Sequence, residues 1–185
     1  MLRIETVFIC ILFSLIATAH AANDPYILTG VEDGDTILVE IAGKPRRLQL
    51  QGIDAPEDVD NPKQQRDRER TGLSEEILLT LGREATRHLR GLIEPKDPVR
   101  LEGNLKKRDR YGRTPVTAYG RNGLSLNEQM VADGYALIMT RYPLDPAFKE
   151  RLTAEQEQAR ARKRGLWGEY PEAMQQWSGI QSSRQ

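Results

Sequence analysis

Cysteine is almost missing from this 185-residue chain, the one copy being Cys10. Histidine is nearly as scarce, with His20 and His88 its two copies, and aromatic residues make up 6% of the sequence. Each scarcity excludes something. Cys10 lies in an N-terminal apolar stretch that is expected to be removed. The chain that remains then has no thiol, which excludes disulfides, a thiol nucleophile and a cysteine-ligated zinc. His88 alone rules out a multi-histidine metal site and gives no basis for a Ser-His-Asp triad. An excess of charge is missing too. Lys plus Arg and Asp plus Glu each number 27, for a net charge of zero, so no global basic field announces a nucleic-acid partner. The basic residues cluster locally instead, at 44–47, 105–113 and 160–164.

The first stretch, "MLRIETVFICILFSLIATAHAAND", has a basic residue at Arg3, an apolar run from Val7 to Ala19, and the small-residue site Ala19-His20-Ala21. That order is a secretory signal peptide, with an apolar part too short for a membrane span. Residues 1–21 are assigned to it, with cleavage after Ala21 or Ala22. The mature protein is expected in the periplasm or medium, free of the membrane and monomeric. A folded domain is expected over residues 26–168, and a polar tail over 169–185 in which Trp177 is the one large apolar group.

What is present begins with strands. "TILVEI" alternates, putting Ile37, Val39 and Ile41 on one face. "AGKP" reads as a turn, and "RRLQLQGI" alternates again through Leu48 and Leu50. The opposite face of that second strand carries Arg47, Gln49 and Gln51, because successive side chains point opposite ways. The polar stretch "DVDNPKQQRDRERTG" reads as a loop. Ala85, Leu89 and Leu92 give the stripe of an amphipathic helix, with Gly82 separating it from a shorter helical piece before it. "PVRLEG" and "TPVTAYG" read as strands. "LSLNEQMVADGYA" reads as a short helix capped by Ser125 or Asn127 and stopped by Gly134. A long helix follows Asp145 and Pro146 and ends by Gly165, with Phe148, Leu152 and Ala159 on its buried side. Short strands with early hairpins and helices at one end imply a small barrel of the α+β class.

Two constellations carry chemistry. Asp33, Asp35, Asp54, Glu57 and Asp58 flank one hairpin, and antiparallel pairing brings Asp35 and Asp54 together. Carboxylates so placed repel unless a cation or proton joins them. Oxygen donors without thiolate or imidazole suit Ca²⁺ or Mg²⁺. Asp, Gly and Pro are also ordinary turn formers, so spacing alone leaves two plain turns open. The second constellation is "RDRYGR" at 108–113. It is either a solvated turn between strands or a phosphate clamp, in which arginine grips phosphate oxygens and Tyr111 stacks on a base.

Taken in order, "VEDGDTILVEIAGKPRRLQLQGIDAPE", "GREA", "RDRYGRTPVTAYG", "LNEQMVADGYA" and "RKRGLW" resemble the thermonuclease family, whose type member is staphylococcal nuclease. The resemblance covers residues 26 to 168. It implies a five-stranded OB-fold barrel with about three helices, and Ca²⁺-dependent hydrolysis of phosphodiester bonds in DNA and RNA. It implies Asp35 and Asp54 as side-chain ligands of Ca²⁺ and Ala55 as a backbone-carbonyl ligand. Glu57 resembles the glutamate that orients or deprotonates water, and Arg113 the arginine that binds the phosphate. Tyr111 and Tyr142 resemble tyrosines that lie against the nucleotide, and Arg110 joins them as a substrate-binding candidate.

The chain departs from that pattern at Gln49, which stands where the family has a second phosphate-binding arginine. Arg47, two residues earlier on the same strand face, is the candidate substitute. The segment from Asp58 to residue 81 is also longer than in the type member. Two functions follow: a calcium-dependent nuclease working at a reduced rate, or a weak or inactive OB-fold module that binds nucleic acid or a protein. The four retained residues Asp35, Asp54, Glu57 and Arg113 favour the first, and Gln49 with the balanced charge favours the second.

Overall fold

A computed structural model describes residues 25–139 and 143–180. The expected signal peptide, Cys10 and Tyr142 lie outside the described residues. Thirteen elements follow one another: β1 (Tyr26–Asp33), β2 (Thr36–Ile41), β3 (Lys44–Leu50), β4 (Ile53–Asp54), α1 (Pro62–Thr71), α2 (Glu75–Leu92), β5 (Pro98–Glu102), β6 (Thr114–Tyr119), α3 (Leu126–Ala132), β7 (Leu137–Ile138), α4 (Pro146–Ala161), α5 (Leu166–Glu169) and α6 (Pro171–Ser178).

Five strands close into a barrel in the order β1-β2-β3-β6-β5, and β5 returns to β1. The pairings are antiparallel except for β3 with β6, which run parallel. This is the five-stranded OB-type barrel that the motifs imply. The alternation in β2 and β3 works as expected: Ile37, Val39, Leu48 and Leu50 are fully buried and fill the barrel with Leu28, Val99 and Val116. The β2–β3 turn uses Ala42 and Gly43, both at positive φ (52° and 71°), as a tight hairpin turn matched to strand twist requires. The other strand face is less exposed than alternation suggests. Gln49 is buried, and Gln51 is half-buried, donating to Thr117 Oγ1 at 2.8 Å.

The helices differ more from expectation. The polar stretch after Glu57 is not a loop but contains α1. Its ends explain it: Asn61 accepts from the Lys63 and Gln64 amides, Pro62 opens the first turn, and Gly72 ends the helix in the left-handed region. These are strong start and stop signals, and they act on a segment with little to bury. Gly82 does not divide a helix either, because α2 runs unbroken through it. Of the two candidate caps of α3, Ser125 accepts the Glu128 amide. Asn127 is fully buried instead, donating to the Gln51 and Val116 carbonyls and accepting from the Ala118 amide.

The segment expected as a polar tail forms α6. It joins α2, α4 and α5 in a second apolar cluster of Leu78, Leu81, Ala159, Leu166, Trp167, Met174 and Trp177. Trp177 is the largest of the fully buried side chains. The consequence for the site is direct. Trp177 Nε1 lies 3.3 Å from Asp67 Oδ2, and Gln176 donates to the Thr71 carbonyl, so α6 props α1.

Candidate active site

Asp35 sits at the mouth of β2. Its carbonyl accepts from the Leu50 amide at 2.8 Å, and Thr36 pairs with Gln49 across the ladder. Register therefore sets Asp35 next to Leu50 and Thr36 opposite Gln49, and Asp35 and Gln49 both line one cavity. The chain then leaves β3 through Gly52 and enters β4, whose pairing with β7 (Asp54 opposite Leu137) fixes Asp54. Asp35 Oδ2 accepts the Ala55 amide at 3.0 Å and ties the two acidic segments together. This hydrogen bond turns two turn-like motifs into one site.

Small residues make the assembly possible. A Cβ on Gly34 would lie 2.8 Å from the Cβ atoms of both Ala55 and Ala85. A Cβ on Gly82 would fall 2.0 Å from the Glu57 carbonyl oxygen. The "GREA" motif thus supplies no chemistry of its own. Gly82 lets the Glu57 backbone rest on α2, and Ala85 admits the glycine of the "DGDT" turn. Thr86 completes the docking by donating to Asp58 Oδ2 at 2.8 Å.

A cavity of about 510 Å³ opens here, lined by Asp35, Gln49, Asp54, Glu57, Arg110, Tyr111 and Arg113. Arg113 is fixed from two sides. Its Nε donates to Asp109 Oδ2 at 3.0 Å, and its Nη1 lies 3.3 Å from Thr36 Oγ1 and 3.8 Å from Asp35 Oδ1. Asp109 also accepts the amides of Tyr111 and Arg113, which shapes the turn. The exposed Tyr111 ring lies 4.8 Å from the Arg110 guanidinium and 5.3 Å from that of Arg113.

Arg47 is elsewhere. It is ion-paired with Glu32, its Nε 2.6 Å from Glu32 Oε2, and it lines a neighbouring cavity of about 420 Å³. Glu32 pairs with it there through both oxygens, and its guanidinium is not among the groups that line the cavity at Gln49. Gln49 itself is 7% exposed, and its Oε1 has no hydrogen-bond partner.

Sequence reasoning missed the other wall. Lys63, Arg66, Asp67 and Arg70 of α1 also line the cavity, at the i, i+3, i+4, i+7 spacing of one helix face. The Asn61-Pro62 start and Gly72 stop were the signals that would have revealed them. Lys63 reaches furthest in. Its Nζ is 3.0 Å from the Ala55 carbonyl, 3.0 Å from Glu57 Oε1, 3.3 Å from Asp54 Oδ1 and 3.5 Å from Asp67 Oδ2. Glu57 also accepts from Asn61 Nδ2 at 2.6 Å.

The electrostatics describe acids in want of a cation. Burial and the neighbouring Asp33 push the Asp35 carboxyl up to about 7, against smaller opposing pulls from Lys63, the Ala55 amide and Arg113. Burial raises Asp54 to about 6, with Lys63 opposing. Burial raises Asp33 as well. Burial works against the Lys63 ammonium, but Asp54, Glu57, Asp35 and Asp67 outweigh it and hold it above its ordinary value. The donors that converge here are carboxylate and carbonyl oxygens gathered round a positive charge. Oxygen donors of this kind suit a hard cation, and among the described residues no three acidic side chains are already grouped to hold one.

Comparison with known proteins agrees with this geometry. The family described as staphylococcal nuclease homologue matches residues 47–169. The thermonuclease of Staphylococcus hyicus is 31% identical over 158 residues, covering 84% of this chain and 82% of that protein. An uncharacterized endonuclease of Escherichia coli O157:H7 is 34% identical over 139 residues, covering 75% of this chain and 74% of its own. Endonuclease YhcR of Bacillus subtilis is 27% identical over 146 residues, 77% of this chain but 11% of that larger protein. With its barrel, its acidic hairpin and its clamped arginine, this chain belongs to the staphylococcal nuclease family.

Proposed function

We propose that this protein is an exported, calcium-dependent endonuclease that hydrolyses phosphodiester bonds in DNA or RNA. The observation that carries the reading is the nest of oxygens from Asp54, Ala55 and Glu57 around one cation, bonded to Asp35 and faced by Arg113.

Asp35, Asp54 and the Ala55 carbonyl would hold a calcium ion, which when bound would supply a Lewis acid for the phosphoryl oxygen. Glu57 orients a water and takes its proton as the oxygen attacks phosphorus. The ester bond to the departing sugar oxygen breaks, and a proton delivered from solvent completes the leaving alcohol. Arg113, held in place by Asp109, donates hydrogen bonds to the phosphate oxygens as charge accumulates on them. Gln49 offers a neutral amide donor where an arginine would bring charge. Tyr111 and Arg110 form a stacking and ionic edge for the neighbouring nucleotide. Arg66, which has no ion-pair partner among the described residues, adds a guanidinium from α1.

The competing reading, a weak or inactive binding module, rests on Gln49 and on the Lys63–Glu57 ion pair. One experiment separates the two. Purified protein is incubated with single- and double-stranded DNA and with RNA, in calcium or in chelator, beside an Asp54→Ala control. Cleavage that requires calcium and disappears in the control is expected. Cleavage in chelator, or a fully active control, overturns the proposed mechanism. Binding without cleavage selects the module.

A further inference from the structure

Lys63 already sits among oxygens proposed to hold the metal. Of the four oxygens around its ammonium, three belong to the residues just assigned to the metal and the water: Asp54 Oδ1, the Ala55 carbonyl and Glu57 Oε1, at 3.0–3.3 Å. A lysine ammonium has three N–H donors and no acceptor, and all can be used inside this nest. A second cation does not readily share those oxygens, because it would stand a few ångströms from the ammonium and be repelled by it.

We propose that Lys63 is a built-in counter-ion that alternates with a divalent cation in the same oxygen nest. It holds the acidic residues together while metal is absent, and metal binding displaces it. The inference rests on the calcium reading and adds to it a competitor from the chain itself.

The place to which the ammonium retreats is also present. Its fourth partner, Asp67 Oδ2 at 3.5 Å, lies one helical turn further along α1 and outside the nest. The ring of Trp177 lies beyond it, 5.9 Å from Nζ. A four-carbon stem pivoting in the first turn of α1 can exchange nest oxygens for a carboxylate and an aromatic face without unfolding the helix. Displacement has a second consequence. Lys63 also occupies Glu57, so the same movement that admits the metal releases the carboxylate that handles water. Metal occupancy and availability of the base become one event.

Competition of this kind lowers apparent affinity by the fraction of time the nest is free. Calcium titration calorimetry on the purified wild type, Lys63→Met, Arg66→Met and Asp54→Asn variants tests it. Lys63→Met is expected to bind calcium roughly 10- to 100-fold more tightly than wild type. Arg66→Met removes a charge from the same cavity without touching the nest, and should stay within about threefold of wild type. Lys63→Met binding no more tightly than Arg66→Met overturns the proposal while leaving the calcium reading intact. Failure of wild type and Lys63→Met alike to bind calcium removes both. A second measurement needs no variant. Reductive methylation of the wild-type protein, read by mass spectrometry, should modify Lys63 faster in calcium than in chelator, with the exposed Lys149 as reference. An unchanged Lys63 rate, with calcium bound, counts against displacement.

Discussion

One wall of the cavity stands on the barrel, and the other is a ten-residue helix with two buried side chains, Gln64 and Thr71. The barrel wall carries Gln49 on β3, Asp35 just before β2 and Asp54 on the adjoining β4, beside Ile37, Leu48, Leu50 and Ile53, which are fully buried. The α1 wall carries Lys63, Arg66, Asp67 and Arg70, and is held by a cap at one end and by α6 at the other. Gln64 is buried with neither amide atom hydrogen-bonded, which costs about 1–3 kcal/mol in such a place. The barrel therefore supplies fixed positions, while α1 supplies charge on a lightly held support. Lightly held elements are the ones that open and rearrange first, which suits a wall whose lysine must give way.

The largest test of this contrast lies on the barrel side. Arg113→Ala should lower cleavage by about 10³- to 10⁵-fold, with a circular dichroism melt close to wild type. A small loss would move the phosphate contact to α1. Next comes the prop of the other wall. Trp177→Ala should cost about 3–5 kcal/mol in chemical denaturation, and hydrogen exchange should quicken in α1 while β2 and β3 stay protected. Uniform loss of protection would erase the distinction between the walls.

Gly82→Ala is intermediate, because it alters the seat of Glu57 and no charged group. The new methyl overlaps the Glu57 carbonyl, and a misplaced base costs about 10²-fold in rate. Unchanged kinetics would show that the Glu57 loop does not depend on α2.

The acids of the barrel wall also give a pH dependence. Asp35 at about 7 and Asp54 at about 6 both lie above their ordinary value of 3.8. The folded, metal-free protein therefore binds more protons than the unfolded chain between about pH 4 and 7. Its stability contribution from these groups is present at the acid end of that window and is lost as pH rises through it. Calcium needs both carboxylates ionised, so the calcium-induced gain in Tm should be larger at pH 8 than at pH 5. The reverse order would disconnect these acids from the metal. The smallest effect is expected for Arg47→Ala. An exposed pair such as Arg47–Glu32 is worth about 0–1 kcal/mol, and cleavage should be near normal. A large loss would return Arg47 to the phosphate.

The two walls were also unequally legible in the sequence. Alternation in β2 and β3 predicted the hairpin and a small barrel, and the acidic motifs brought Asp35 and Asp54 together, whereas Glu57 and Arg113 took their roles from the family resemblance. Periodic burial leaves a periodic pattern, and these strands bury one face. The helix α1 buries almost nothing, so no apolar stripe marked it, and only its end signals betrayed it. Trp177 was visible as the one large apolar group in a polar stretch, but its partner α1 had been read as loop. The Lys63 contacts depend on helix placement against Glu57, which no local pattern encodes. Gly82 carried a misleading signal: in isolation a mid-helix glycine weakens a helix, but here it makes room for another segment's backbone.

The contact of Gly34, Ala55 and Ala85 has a consequence for variation in this chain. Three positions far apart in sequence share a space that holds one hydrogen and two methyl groups. Enlarging any one of them drives the hairpin, the Asp54 turn and α2 apart together. A methyl gained at 34 meets both of the others at 2.8 Å, so it becomes tolerable only when those at 55 and 85 are both surrendered. Substitution here is a joint decision among three sites, and the acids they hold in register inherit that constraint although none of the three carries a charge.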